Sequence, residues 1–73
     1  MKDKLAYIPA GTLVAVNVPD IPSTKMLQQF KGYCYRVKSW KHYTGGQYMY
    51  TLEECESRFG TPYWFADEWL REI

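Results

Sequence analysis

The residues able to do covalent or acid–base chemistry in this 73-residue chain are few and scattered. Cys34 and Cys55 stand twenty-one positions apart, and the single histidine, His42, lies eight residues beyond Cys34. A nucleophile needs a base within hydrogen-bond reach, and His42 meets either cysteine only if the strands fold back on themselves. A structural zinc site wants four ligands, usually in close pairs. Two distant cysteines and one histidine do not supply them, so no metal is expected. The acidic pairs Glu53-Glu54 and Asp67-Glu68, with Glu56 nearby, could do acid–base work if burial separated their pKa values. Their loop and cap contexts read instead as solvated charge. Gly45-Gly46 lacks the lysine and helix of a phosphate-binding loop. The chain is therefore read as a non-enzyme without a cofactor.

What the chain has in excess is rings. Thirteen residues are aromatic, and twelve of them fall between Phe30 and Trp69. A domain this small buries only about 60% of its unfolded surface. Part of the aromatic excess is core, since one buried ring removes roughly 150–250 Å² from water. The rest is expected at the surface, where an apolar patch marks a partner. Basic residues interleaved with rings in residues 38–43, Lys38-Ser39-Trp40-Lys41-His42-Tyr43, are the best case for stacking bases and neutralising phosphates.

Net charge is +1, but it is segregated. Residues 25–46 carry five cations and no acid, and residues 47–73 carry six acids against two arginines. Such a basic middle meets phosphate, an acidic protein, or the acidic third of its own chain. Internal pairing is favoured because the blocks are adjacent and nearly equal. The overall balance is not acidic enough to imitate DNA. No run approaches the roughly 18 apolar residues that span a bilayer. The N-terminal Met-Lys-Asp-Lys-Leu has no apolar core of a signal peptide. A soluble, cytoplasmic protein without a membrane partner is the expectation.

The elements that position these residues are short. Turn residues at 9–11, 19–22, 32, 45–46 and 60–62 separate runs rich in β-branched and aromatic residues, the pattern of a small all-β sandwich or barrel. Residues 12–18 form the first strand, with Val14, Val16 and Val18 inward by alternation. Pro19 and Pro22 end it. In the following connection Ser23 or Thr24 caps a helical turn that brings Met26, Leu27 and Phe30 to one face. Residues 32–41 and 47–52 make a hairpin around Thr44-Gly45-Gly46. With His42 opposite Gln47, Trp40 faces Met49, Val37 faces Leu52, Arg36 faces Glu53 and Cys34 faces Cys55. That register would make the cysteines cross-strand neighbours, able to form a disulfide but expected as thiols in a reducing compartment. It puts Tyr33, Tyr35, Val37, Ser39, Tyr48, Tyr50 and Leu52 in the core, and Trp40 and Met49 on a charged outer face. Residues 62–70 read as a strand and then a short helical turn capped by Asp67. Trp69 or Leu70 folds back onto the core. Tyr63, Trp64 and Phe65 are all large, so alternation leaves open which of Trp64 and Phe65 points inward.

Four segments then carry a resemblance. Residues 8–16 (Ile-Pro-Ala-Gly-Thr-Leu-Val-Ala-Val), 30–37 (Phe-Lys-Gly-Tyr-Cys-Tyr-Arg-Val), 50–53 (Tyr-Thr-Leu-Glu) and 64–70 (Trp-Phe-Ala-Asp-Glu-Trp-Leu) resemble, in order, the strands and terminal 3-10 turn of small SH3-like proteins of bacteria and phages. The resemblance covers nearly the whole chain. It implies one domain over residues 1–73, an all-β, SH3-like five-stranded barrel with one short helical or 3-10 turn. The chain departs from signalling SH3 domains: it has no Ala-Leu-Tyr-Asp-Tyr motif, and its 19–31 connection holds one acid, Asp20. Polyproline recognition is not implied.

These readings converge on a protein-binding module. Trp40, Tyr43 and Met49 form its apolar anchor and Lys38 and Lys41 its polar rim, because Trp and Tyr among polar neighbours dominate interface energetics. Tyr63, Trp64 and Trp69 form a second patch. Resemblance and size suggest a viral accessory factor, such as an inhibitor of a bacterial defence enzyme of the anti-CRISPR kind. Nucleic-acid binding through residues 36–43 and a structural homodimer or larger homo-oligomer are the alternatives.

Overall fold

The structure, a computed structural model, describes residues 7–73. The N-terminal stretch read for a signal core lies outside the described residues. The five strands are β1 (Leu13–Val16), β2 (Cys34–His42), β3 (Tyr48–Leu52), β4 (Phe65–Ala66) and β5 (Leu70–Glu72). All pair antiparallel, in the order β4-β3-β2-β1-β5. The all-β class is thus as expected. The closed barrel is not seen: among the described residues β4 and β5 are the two edges of an open sheet.

The valine alternation in β1 works as read. Val14, Val16 and Val18 are buried, while Asn17 faces water. Beneath them lie Ile8, Leu27, Phe30, Val37, Tyr50, Leu52, Cys55 and Phe65. Phe65 is opposite Tyr50 and fully buried, which settles that Phe65, not Trp64, points inward.

The connection after β1 is a 3-10 segment, Pro22–Phe30. Ile21 precedes it in extended backbone, and proline occupies the first position, where its fixed φ suits a helix start. Neither Ser23 nor Thr24 is thus the N-cap residue, but the Thr24 hydroxyl accepts the Ile21 amide at 3.4 Å from the third position. Thr24 is buried at the third position, its hydroxyl bonded to the carbonyls of Pro19 and Ile21. Gln28 Nε2 donates to the Thr24 hydroxyl (3.0 Å) and to Pro19 O (2.7 Å). With three residues per turn, side chains at i and i+3 eclipse. Thr24, Leu27 and Phe30 accordingly form the buried row. Met26, expected on that face from an α-helical period, is exposed.

One irregularity in β2 resets the hairpin. Val37 pairs with Leu52 as the sequence suggested, and the Glu53 amide donates to Arg36 O (2.9 Å). Between Val37 and Ser39 the register shifts, and Lys38 is the extra residue of a β-bulge. Toward the turn the pairs become Ser39 with Thr51, Trp40 with Tyr50, Lys41 with Met49 and His42 with Tyr48. A one-residue shift moves every later side chain to the other face. Trp40 therefore joins the tyrosine face, and Ser39 leaves it to share a 2.6 Å hydrogen bond with Thr51 Oγ1 on the opposite side. The first part of β2 pairs with β1 and the second with β3, so the bulge sits where the strand changes partner. Gly45 and Gly46 close the hairpin in the left-handed region, at φ 75° and 77°.

Two further expectations change. Tyr33 is 63% exposed because it precedes the strand, in the turn after Phe30. Cys34 pairs with Ala15, not Cys55, and is exposed, whereas Cys55 is fully buried in the core. Cys34 lies next to Tyr35, whose ring meets Phe30 at 5.8 Å, so it points away from the core. Both cysteines are free thiols.

Candidate protein-binding face at the hairpin end

The bulge divides the anchor expected from the sequence between two faces. On the inner face, Trp40 stacks on Tyr7 with centroids 4.3 Å apart and meets Tyr48 edge-on at 5.3 Å. Tyr48 also contacts Tyr7 at 6.0 Å and His42 at 5.2 Å. Four rings thus run in contact toward the free end of the hairpin. Their inner end merges with the core through Tyr48. Trp40 is 39% exposed and His42 is exposed; Tyr43, the next residue along the chain, is 51% exposed at the turn. Such ring pairs each contribute about 0.5–1.5 kcal/mol beyond burial, so the rings hold one another in shape.

Tyr7 reaches Trp40 because its neighbour is tethered. The Ile8 amide donates to the Tyr50 hydroxyl at 2.9 Å inside the core. Burial pushes the Tyr50 phenol above its usual pKa, and the Asp67 carboxylate adds to the rise, while the Ile8 bond opposes it. The phenol therefore stays neutral and keeps its acceptor role.

On the outer face, Met49 lies between Lys41 and Ala66 in adjacent strands. Lys41 Nζ sits 4.4 Å from the centre of the Trp64 ring. Lys41 from the first expected patch therefore meets Trp64 from the second, and Met49 pairs with Lys41 across the strands. The remaining members are elsewhere. Lys38 pairs with Glu56 at 3.1 Å on the surface. The Tyr63 ring contacts Phe30 at 5.8 Å and packs against the core. Trp69 packs on the core from the 3-10 turn Asp67–Trp69 and accepts the Asn17 amide at 2.8 Å. Asp67 is the first residue of that turn, after Ala66, and so does not cap it.

The charge blocks meet less than their sizes suggest. Lys38–Glu56 is the one ion pair among the described residues, and an exposed pair contributes only about 0–1 kcal/mol. Arg36 instead donates to Gly11 O at 2.9 Å.

Three residues were missed. Tyr7 precedes the first recognisable strand and offers no periodic signal. His42, set opposite Gln47 from the sequence, is the last residue of β2, pairs with Tyr48 and contacts its ring. Phe59 is 81% exposed at the tip of a loop between Glu56 and Pro62, which pair across it. An apolar residue inside the turn sequence Ser57-Arg58-Phe59-Gly60-Thr61 was the available signal.

No group of three or more His, Cys, Asp or Glu among the described residues is placed to hold a metal. No helix among them is long and apolar enough to cross a membrane. Burial, with a smaller contribution from Glu54, raises the Cys55 thiol to about 12, so that cysteine stays protonated and inert at neutral pH. In the comparisons with known proteins, no family model, no curated protein and no solved structure matches the chain.

Proposed function

We propose that the chain is a non-enzymatic protein-binding module whose contact surface is the free end of the β2–β3 hairpin. The observation that carries this reading is the contiguous run Tyr7, Trp40, Tyr48 and His42, partly exposed at Trp40, with Tyr43 exposed at the turn that follows His42. Rings held rigid by one another lose little conformational entropy on binding, and Trp and Tyr dominate interface hot spots. Lys41 on the opposite face supplies a cation beside Met49 and Trp64.

Five antiparallel strands and a 3-10 turn before the last one support an SH3-like reading of the domain. Chain size and that resemblance support a phage-type accessory role, with a cytoplasmic bacterial enzyme as the target class. The nucleic-acid reading draws less support, because Lys38 is engaged by Glu56 and Lys41 by Trp64.

The test is capture of a defined partner from host extract, identified and then purified for a binding measurement. Tyr43→Ala and Trp40→Phe together are expected to weaken affinity by roughly tenfold or more, as hot-spot losses do. The same variant should unfold at nearly the wild-type temperature. A partner bound equally well by wild type and variant would sink the proposal.

A further inference from the structure

The free end of the hairpin leaves a row of backbone groups without a partner among the described residues. β2 pairs with β1 through residues 34–36, and with β3 as far as His42. In an antiparallel ladder bonded and non-bonded pairs alternate, and a residue of a non-bonded pair turns its N–H and C=O to the opposite side. The Tyr43 amide donates to Gln47 O (2.6 Å), so Tyr43, Lys41 and Ser39 are the residues bonded toward β3. Trp40 and His42 therefore turn their backbone groups away from β3. Val37 does the same before the bulge: its amide donates to Thr12 O (2.9 Å) and its carbonyl accepts the Gly11 amide (2.7 Å). Beyond Val37 no described residue bonds to this side of β2. Residues 39–43 are all exposed.

A strand edge of this kind is a template for another strand. Its two faces differ. On the inner side stand the rings of Trp40 and His42, with Tyr7 stacked on Trp40. On the outer side stands Lys41, in a stretch from residue 25 to 46 that holds no acid. A second copy of the chain fits this edge poorly. The two-fold register that engages both Trp40 and His42 sets each against the other in the second copy, and so sets Lys41 directly opposite itself. Like charges in that position are destabilising. A segment with a carboxylate there is favoured instead.

We propose that the hairpin end takes an extended segment of its protein partner as an added antiparallel strand on β2, along Trp40–His42. The segment alternates apolar and acidic residues. Its apolar side chains lie beside Trp40 and His42 on the ring face, and its carboxylate lies opposite Lys41. Both N–H and both C=O groups of Trp40 and His42 are then bonded. The antiparallel sense matches every other pair in the sheet and is the more stable per residue. This inference rests on the hairpin-end reading of the function and gives that partner its chemistry: main-chain bonds supply affinity, and alternate side chains supply specificity.

The test is amide exchange followed by NMR, with the end-blocked pentapeptide Glu-Val-Glu-Val-Glu as probe. Its valines fall opposite His42 and Trp40, and its central glutamate opposite Lys41. In the peptide-free protein the amides of Trp40 and His42 should exchange fast, and those of Ser39 and Lys41 more slowly. Peptide in the millimolar range should slow exchange at Trp40 and His42 roughly threefold or more. N-methylation of both valines removes the N–H groups that face β2 and should weaken binding roughly tenfold or more. N-methylation of the central glutamate, whose N–H faces away, should leave binding in place. In the chain, His42→Pro removes an outward N–H where an edge strand tolerates proline. It should bind the peptide more weakly than His42→Ala, which lacks the same ring. Three results would each overturn the proposal: protection of Trp40 and His42 without peptide at any protein concentration, no added protection with peptide, or equal binding of the two N-methylated peptides. If the peptide fails while Tyr43→Ala with Trp40→Phe still weakens binding of the native partner, strand addition falls and the hairpin-end reading stands.

Discussion

Replacing Tyr50 with phenylalanine removes a single oxygen from the core, and the structure predicts a large effect. That oxygen accepts the buried Ile8 amide at 2.9 Å. Phenylalanine fills the same space, so packing is nearly conserved. The Ile8 N–H is left buried without a partner, which costs about 1–3 kcal/mol. A core in a domain of this size rarely supplies more than about 3–5 kcal/mol in total. Tyr50→Phe should therefore forfeit a large fraction of the stability, lowering Tm by roughly 4–8 °C for each kcal/mol lost. The effect should be local as well as global. Ile8 holds Tyr7 in place, and Tyr7 covers Trp40. Urea denaturation at neutral pH would read the global loss as a lower midpoint with an unchanged slope. Amide exchange would read the local one as lost protection at Ile8. A midpoint loss below about 0.5 kcal/mol, with the Ile8 amide still protected, would refute the reasoning.

Two further predictions concern the turn after β3 and the thiol beyond it. Glu54 sits at φ 71°, a backbone that costs a non-glycine residue about 1–2 kcal/mol. Glu54→Gly should stabilise the fold by about 0.5–1 kcal/mol after the added freedom of the unfolded chain is counted, read as a higher Tm. The Cys55 thiol ionises from its ordinary 9.0 in the unfolded chain and only near 12 in the native one. Above pH 9 the unfolded state therefore binds fewer protons, and stability falls as pH rises, by at most about 1.4 kcal/mol per pH unit for this group. The contribution is whole below pH 9 and is lost progressively toward 12. Cys55→Ala should be less stable at pH 7 and should lose less stability than wild type between pH 9 and 10, the remaining loss coming from the raised phenols of Tyr35 and Tyr50, which begin to ionise in the unfolded chain over the same interval. Parallel losses in wild type and variant over that interval would contradict it.

Much of the fold was legible because it depends on local rules. Proline and glycine placed the turns, valine alternation gave the inward face of β1, and Thr44-Gly45-Gly46 marked the hairpin. The register near Val37 and Leu52 also followed from counting. What failed did so for identifiable reasons. Met26 was placed inward by a 3.6-residue period, whereas a 3-10 segment repeats every three. Tyr33 was assigned to a strand that begins one residue later.

The candidate site was less legible, because it rests on one residue that pattern does not reveal. Lys38 bulges where β2 changes partner, and every side chain from there to the turn reverses face. Trp40 thereby leaves Met49 for Tyr48 and Tyr7, and Lys41, now opposite Met49, comes to face Trp64. By itself, then, the sequence determined an aromatic, all-β chain with its turns and its first buried strand, since each depends on the conformational limits of neighbouring residues. Only the tertiary structure decided which rings are core, which meet one another and which stay exposed. A bulge is set by how two strands and their further neighbours pack, and no local period encodes it.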